Sequence, residues 1–212
     1  ARGEHFFVCE GSFRRLDGML RHNELTLMVM PGHTDSLDFV IVSTVDTTEK
    51  RRMHDELRPG MSENQLWAWL HFENIRHGGE WIETRLLASG PRTNPWMQES
   101  SDRVMQQGEI VCFDTDLIGP YGYCADISRA WTVGHVPPSA EQRKLYALAY
   151  EQVHHNMDLL RPGISHREFV QRSWDIPAAY HHNRYCCVVH GVGLADEYPA
   201  LAHKGADWDS SG

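Results

Sequence analysis

The chain has 212 residues, 41% of them hydrophobic and 23% charged, with a formal net charge of -9. That length supports one large domain with a sizeable core. The acidic balance, the lack of a dense Lys/Arg run and the lack of a long apolar stretch argue against a nucleic-acid partner, an anionic membrane surface and a membrane-spanning helix.

The first residues, ARGEHFFVCEGSF, contain no initiator methionine, and the last, KGADWDSSG, supply no closing element, so the chain is read as a fragment. Residues 1–45, with the apolar runs LTLMVM and DFVIVSTV, read as the end of an N-terminal domain and a linker. Residues 46–212 read as a second domain, C-terminally incomplete. The five cysteines lack metal-finger spacing, and Cys186 and Cys187 are adjacent. They are read as reduced thiols of a cytoplasmic protein.

From residue 47 onward the chain repeats itself. TTEKRRMHDE has a helical pattern and leads into LRPGMSENQLW (57–67). RKLYALAYEQVHHNMDL has a second and leads into LRPGISHREFV (160–170). In each unit Pro-Gly breaks the helix and a serine caps the next, Ser62 with Gln65 and Ser165 with Glu168, both in capping-box spacing. Two copies are too few for a solenoid, so a single domain with pseudo-two-fold duplication is expected. Strand candidates follow the helices: WIETRLLAS, EIVCFDTDL, GYCADISRAWTV and YCCVVHGV. The mixture reads as α+β, an antiparallel sheet covered by helices on one side.

The chemistry concentrates in two of these segments. VCFDTDL alternates with a period of two, which puts Asp114 and Asp116 on one face of a strand. IGPYGY then turns the chain, and CADISRAW brings Asp126 back beside them. Three converging carboxylates repel one another and are costly to bury unpaired, so a positive charge is expected among them. His190 ends the apolar run CCVVH and is followed by Gly191 and Gly193, which allow a close turn. Alone it would be a satisfied core histidine. Beside a carboxylate cluster it is a candidate ligand, and oxygen-rich donors with one nitrogen suit Mn, Fe, Co or Zn. The competing reading pairs the aspartates with Arg129 and other arginines in a structural network.

These segments, FDTD…GYCADISRAWTVG and HGVGL…EYP set between two LRPG.S breaks, resemble the pita-bread superfamily of creatinases, Xaa-Pro peptidases and methionine aminopeptidases over about residues 46–200. The resemblance implies a pita-bread fold and a site with two divalent metal ions. It makes Asp114, Asp116, Asp126 and His190 ligands, Asp116 and Asp126 central, with two further glutamates expected beyond residue 212. Two departures stand out. Where the peptidases have a histidine that handles the substrate amide, ASGPRTNPWMQES has Trp96. Where they read like HGVGLEVHE.P, this chain reads HGVGLADEYP, one residue shorter, with Asp196 near the place of the second histidine.

Peptide cleavage is therefore not the expectation. NRYCCVVHGVGLADEYP is similar to the dimethylsulfoniopropionate (DMSP) lyase branch of the superfamily. That resemblance implies β-elimination of DMSP to dimethyl sulfide and acrylate, with Asp196 as general base and Tyr185 and His190 as substrate contacts. It also implies iron as the metal and a homodimer. Aromatic rings such as Trp96 and Tyr185 would hold an onium group by cation–π attraction. Outside that resemblance Asp196 reads as a turn residue, Tyr185 as a core aromatic and Trp96 as a packed residue after Pro95. The alternatives are a prolidase-like hydrolase and a non-catalytic binding protein on the same scaffold.

Overall fold

The computed structural model describes the backbone of residues 6–14, 18, 20–29, 40–46 and 48–205, and side chains at 12, 14, 18 and 52–205. The chain divides into two compact units, Ala1–Glu56 and Leu57–Gly212. In the first, the segment read above as a tail and linker forms an antiparallel meander. Its strands are β1 (Phe6–Arg14), β2 (Leu20–Val29) and β3 (Val40–Asp46), followed by helix α1 (Thr48–Glu56). The register runs from Phe6 opposite Met28 to Arg14 opposite Leu20. The Arg14 guanidinium donates to the Gly18 carbonyl at 2.6 Å.

The second unit begins with the first LRPG break and helix α2 (Glu63–Arg76). Gly60 turns the chain with φ +88° and its repeat counterpart Gly163 with φ +85°. Such left-handed values carry a steric penalty for any residue with a Cβ. The caps match as closely: Ser62 has φ −81°, ψ 159° and Ser165 φ −79°, ψ 155°. Each serine Oγ accepts the amide of the third residue onward at 3.1 Å. At Ser62 the box closes, because Gln65 Oε1 accepts the Ser62 amide at 2.9 Å. At Ser165 it stays half-made, contrary to expectation. Glu168 is taken by Arg161 at 3.0 Å and Arg172 at 2.8 Å, and charge-assisted bonds win over a neutral amide. A third box, Ser139 with Gln142, opens helix α3 and went unread in the sequence.

Three of the four strand candidates are broken in two. WIETRLLAS gives β4 (Trp81–Ile82) and β5 (Leu87–Ser89), and EIVCFDTDL gives β6 (Ile110–Phe113) and β7 (Leu117–Ile118). GYCADISRAWTV gives β8 (Cys124–Ala125) and β9 (Arg129–Thr132). The pieces sort into two antiparallel sheets, β5-β6-β9 and β4-β7-β8. The hairpin therefore changes sheet on both arms at the same level, at 114–116 and at 126–128. Helix α2 packs on β4 and β5 and buries Leu66, Trp67 and Leu70, the face that a 3.6-residue period predicts. Leu87, Val111 and Phe113 are fully buried in the sheet beneath.

Helices α3 (Ala140–Leu159) and α4 (His166–Arg172) precede the hairpin of β10 (Cys187–His190) and β11 (Ala200–Ala202). A smaller core joins them: Leu159, Phe169, Val170 and Leu201, with Ile164, Val188 and Val189 packed against it. Among the described residues no helix is long and apolar enough to cross a membrane. The described cysteines, Cys112, Cys124, Cys186 and Cys187, are free thiols.

Candidate metal centre

The sheet change places the carboxylates. Asp114 and Asp116 do not share a face of one regular strand, as the alternation predicts; they flank a break in which Asp116 adopts φ +37°. Thr115 stitches the break shut: its hydroxyl donates to the Ala125 carbonyl at 3.0 Å and accepts the Ile127 amide at 2.9 Å. Both arms are held through these bonds, so Asp126 arrives opposite Asp114 and Asp116. One oxygen from each of the three lies within 4.8 Å of the others. Hydroxyls orient two of them. Thr84 donates to Asp116 Oδ2 at 2.8 Å and Ser128 to Asp114 Oδ1 at 2.7 Å.

This cluster is electrostatically strained without a cation. Burial pushes the Asp126 carboxyl from its ordinary 3.8 up to about 8, aided by a hydrogen bond to Asp114 and the charges of Asp114, Asp116 and Asp196. Asp116 is raised as well, mainly by burial and then by Asp114, Asp196 and Glu197, although the Thr84 bond opposes the shift. Among the described ion pairs no arginine serves these aspartates. Arg129, the partner that the structural-network reading named, donates to the neighbouring Ser128 carbonyl at 2.7 Å. Other arginines go to glutamates. Fully buried Glu63 accepts from Ser89, Ser101 and Arg92, and Arg103 holds Glu109 at 2.5 Å. Burial alone would raise the Glu63 carboxyl, and the bonds from Ser101, Ser89 and Arg92 together bring it below its ordinary value.

His190 closes the cluster. Its Nε2 stands 3.4 Å from Asp126 Oδ2, while Nδ1 meets the Gly191 carbonyl at 3.0 Å. A carbonyl only accepts, so Nδ1 carries the proton, and in the neutral ring the Nε2 lone pair faces a carboxylate oxygen. That contact is repulsive unless a proton or a cation lies between. Three carboxylates, an imidazole nitrogen aimed at them and a tautomer set by a backbone carbonyl together fit a divalent metal site.

The segment after His190 is folded back on the cluster. Gly191 donates to the Pro199 carbonyl at 2.8 Å, and a Cβ on Gly191 would stand 2.4 Å from the Tyr198 carbonyl oxygen. The Gly193 carbonyl accepts the Cys124 amide at 2.6 Å, which ties the loop to the carboxylate hairpin. Asp196 rides on this loop. Its Oδ1 is buried without a hydrogen-bond partner, and its charge acts on both Asp116 and Asp126. Tyr185, just before β10, has its ring centroid 6.2 Å from that of His190. Its hydroxyl donates to Glu197 Oε1 at 2.5 Å, and burial, then Glu197, raises the phenol above its ordinary range. Trp96 lies half-buried after the Gly90–Thr93 turn, and no described contact joins it to the aspartates. Glu197, Thr84 and Ser128 went unread. Glu197 had a signal, as the neighbour of Asp196, whereas Thr84 is 32 residues from the carboxylate it serves.

The profile of Metallopeptidase family M24 matches residues 44–209. "Dimethylsulfoniopropionate lyase DddP" of Roseovarius nubinhibens is 52% identical over 142 residues, 67% of this chain and 32% of that one. The protein of the same name from Roseobacter denitrificans is 48% identical over 160 residues, 72% of this chain and 35% of its own. The chain thus spans about a third of the length of these relatives. The solved "Xaa-Pro dipeptidase from Bacillus anthracis" is 26% identical with a TM-score of 0.63, covering 74% of this chain and 44% of that one. Its likeness supports the pita-bread, α+β architecture with its duplicated helix–strand units. The chain belongs to metallopeptidase family M24.

Proposed function

We propose that this protein is a metal-dependent carbon–sulfur lyase that splits dimethylsulfoniopropionate into dimethyl sulfide and acrylate. The observation that carries the reading is Asp196: a carboxylate with a buried, unpartnered oxygen beside a metal-type cluster, near the place where the family resemblance puts the amide-handling histidine of the peptidases. The similarity to two proteins named as DMSP lyases supports it.

Asp114, Asp116, Asp126 and His190 would hold two divalent ions, iron first among Fe, Mn, Co and Zn. Bound metal would supply Lewis acidity toward the negative charge that develops next to the substrate carboxylate. The residues of the chain do the rest. Asp196 Oδ1 takes a proton from the carbon next to the substrate carboxylate. The electron pair released forms the new C=C bond as the C–S bond breaks, and the sulfonium departs as neutral dimethyl sulfide. The proton on Asp196 returns to water. Tyr185 and His190 position the substrate, and Trp96 adds an aromatic wall. The loop held by Gly191 and Gly193 keeps Asp196 against the cluster.

In the same proposal residues 46–212 form the catalytic domain, residues 1–45 end another, and the protein is a cytoplasmic homodimer. The test is a paired assay of full-length protein with DMSP and with an Xaa-Pro dipeptide. Sulfide release is expected. Dipeptide cleavage without sulfide would establish the prolidase-like alternative, and failure to retain any divalent metal would establish the binding-protein alternative. Asp196→Ala should keep its metal and lose elimination; near-wild-type turnover would move the base elsewhere.

A further inference from the structure

The Tyr185 hydroxyl has one proton, and the structure commits it to Glu197 Oε1. A phenol donating to a carboxylate has no proton left for a substrate carboxylate. To any other neighbour it offers only oxygen lone pairs and an electron-rich ring face. Glu197 is held for this task by its backbone. It adopts φ +55°, a left-handed conformation uncommon outside glycine, immediately after Asp196 and before the turn that packs on Gly191. Its charge reaches Asp116 as well as Tyr185. Next to it, Asp196 Oδ1 is buried with no partner. Tyr185, Asp196 and Glu197 therefore bring acceptors and negative charge up to the edge of the metal-type cluster.

We infer that Glu197 is a positioning and specificity-determining residue that orients Tyr185 as an acceptor, so that the Tyr185–Glu197 pair selects the cationic, onium end of the substrate. The inference rests on the lyase reading and deepens it by separating the two ends of the substrate: carboxylate toward Asp114, Asp116, Asp126 and His190, onium toward Tyr185. It also accounts for a carboxylate beside the base that the elimination itself does not use.

The test isolates charge from shape with two small acids that lack a good leaving group. One is 3-(trimethylammonio)propanoate and the other its neutral isostere, 4,4-dimethylpentanoate. Their affinities are measured by calorimetry on metal-loaded full-length protein. Wild-type protein should bind the ammonium acid about tenfold more tightly, the scale of a cation held by one aromatic ring and its carboxylate. In Glu197→Gln that preference should shrink to about twofold or less, with the neutral acid bound as in wild type, which also certifies the fold. Tyr185→Phe should shrink it too, and the double variant should lose no more than the larger single loss. A preference unchanged in Glu197→Gln, or equal weakening of both acids, overturns the inference. The same preparations are assayed for sulfide release from DMSP. An unchanged preference in a sulfide-releasing protein sinks only the role of Glu197, whereas wild-type protein that releases no sulfide sinks the lyase reading and this inference with it.

Discussion

Replacing Asp126 by asparagine removes one of three crowded charges and preserves the volume of the side chain. In metal-free protein, burial and the neighbouring carboxylates raise this group from 3.8 to about 8. The folded state then holds a proton that the unfolded chain releases, so stability declines as pH rises through that window, from about 4 to about 8. Taken at face value the shift would amount to roughly 6 kcal/mol at 1.36 kcal/mol per unit. Solvent reaches part of the cluster and neighbours relax, which reduces the effect to about 2 kcal/mol. For a chain of this size that is roughly 4–8 °C in melting temperature. Asp126→Asn should thus melt about that much higher than wild type at pH 8 in EDTA, with the gap closing by pH 5. Manganese should reverse the order, stabilising wild type through binding to the folded state while leaving the variant almost unmoved. Thermal melts at both pH values, with EDTA and with MnCl2, read all of this. A variant less stable than wild type in EDTA at pH 8, or equal stabilisation of both by manganese, would refute the claim that these carboxylates are assembled for a cation.

Three further outcomes are expected. Gly191→Ala places a methyl 2.4 Å from the Tyr198 carbonyl oxygen, so the loop must shift; elimination should fall at least tenfold while metal content, measured by atomic emission, stays within a quarter of wild type. Glu63→Ala leaves Arg92 without its buried partner and should cost about 3–5 kcal/mol by urea unfolding. Because the folded Glu63 value lies below 4.5, its contribution is present above that pH and lost as pH falls through the depressed value. Ser62→Ala removes the reciprocal cap of α2 and should cost about 1 kcal/mol, and Ser165→Ala, whose box is half-made, should cost less.

Where structure depends on neighbours in sequence, the chain could be read directly. The two LRPG.S units announced their breaks and caps, and Gly60 and Gly163 agree in φ to within a few degrees because the same local constraint acts on both. The half-made box at Ser165 shows the limit. Glu168 was in the right place, and arginines at 161 and 172 took it. A period-two pattern put Asp114 and Asp116 on a strand. It contained nothing about the change of sheet that turns both arms of the hairpin at the same level.

The convergence of Asp114, Asp116 and Asp126 was legible from the sequence, because they lie in segments whose turn residues predict a hairpin, whereas His190 was joined to them through the family resemblance. What those groups touch was left to the tertiary fold. Thr84 reaching Asp116 across 32 positions, the tautomer of His190, the buried oxygen of Asp196 and the proton shared by Tyr185 and Glu197 all depend on where separate segments meet. Local preferences act over a few residues, whereas a hydrogen bond between distant segments exists only after burial has chosen which surfaces close on one another.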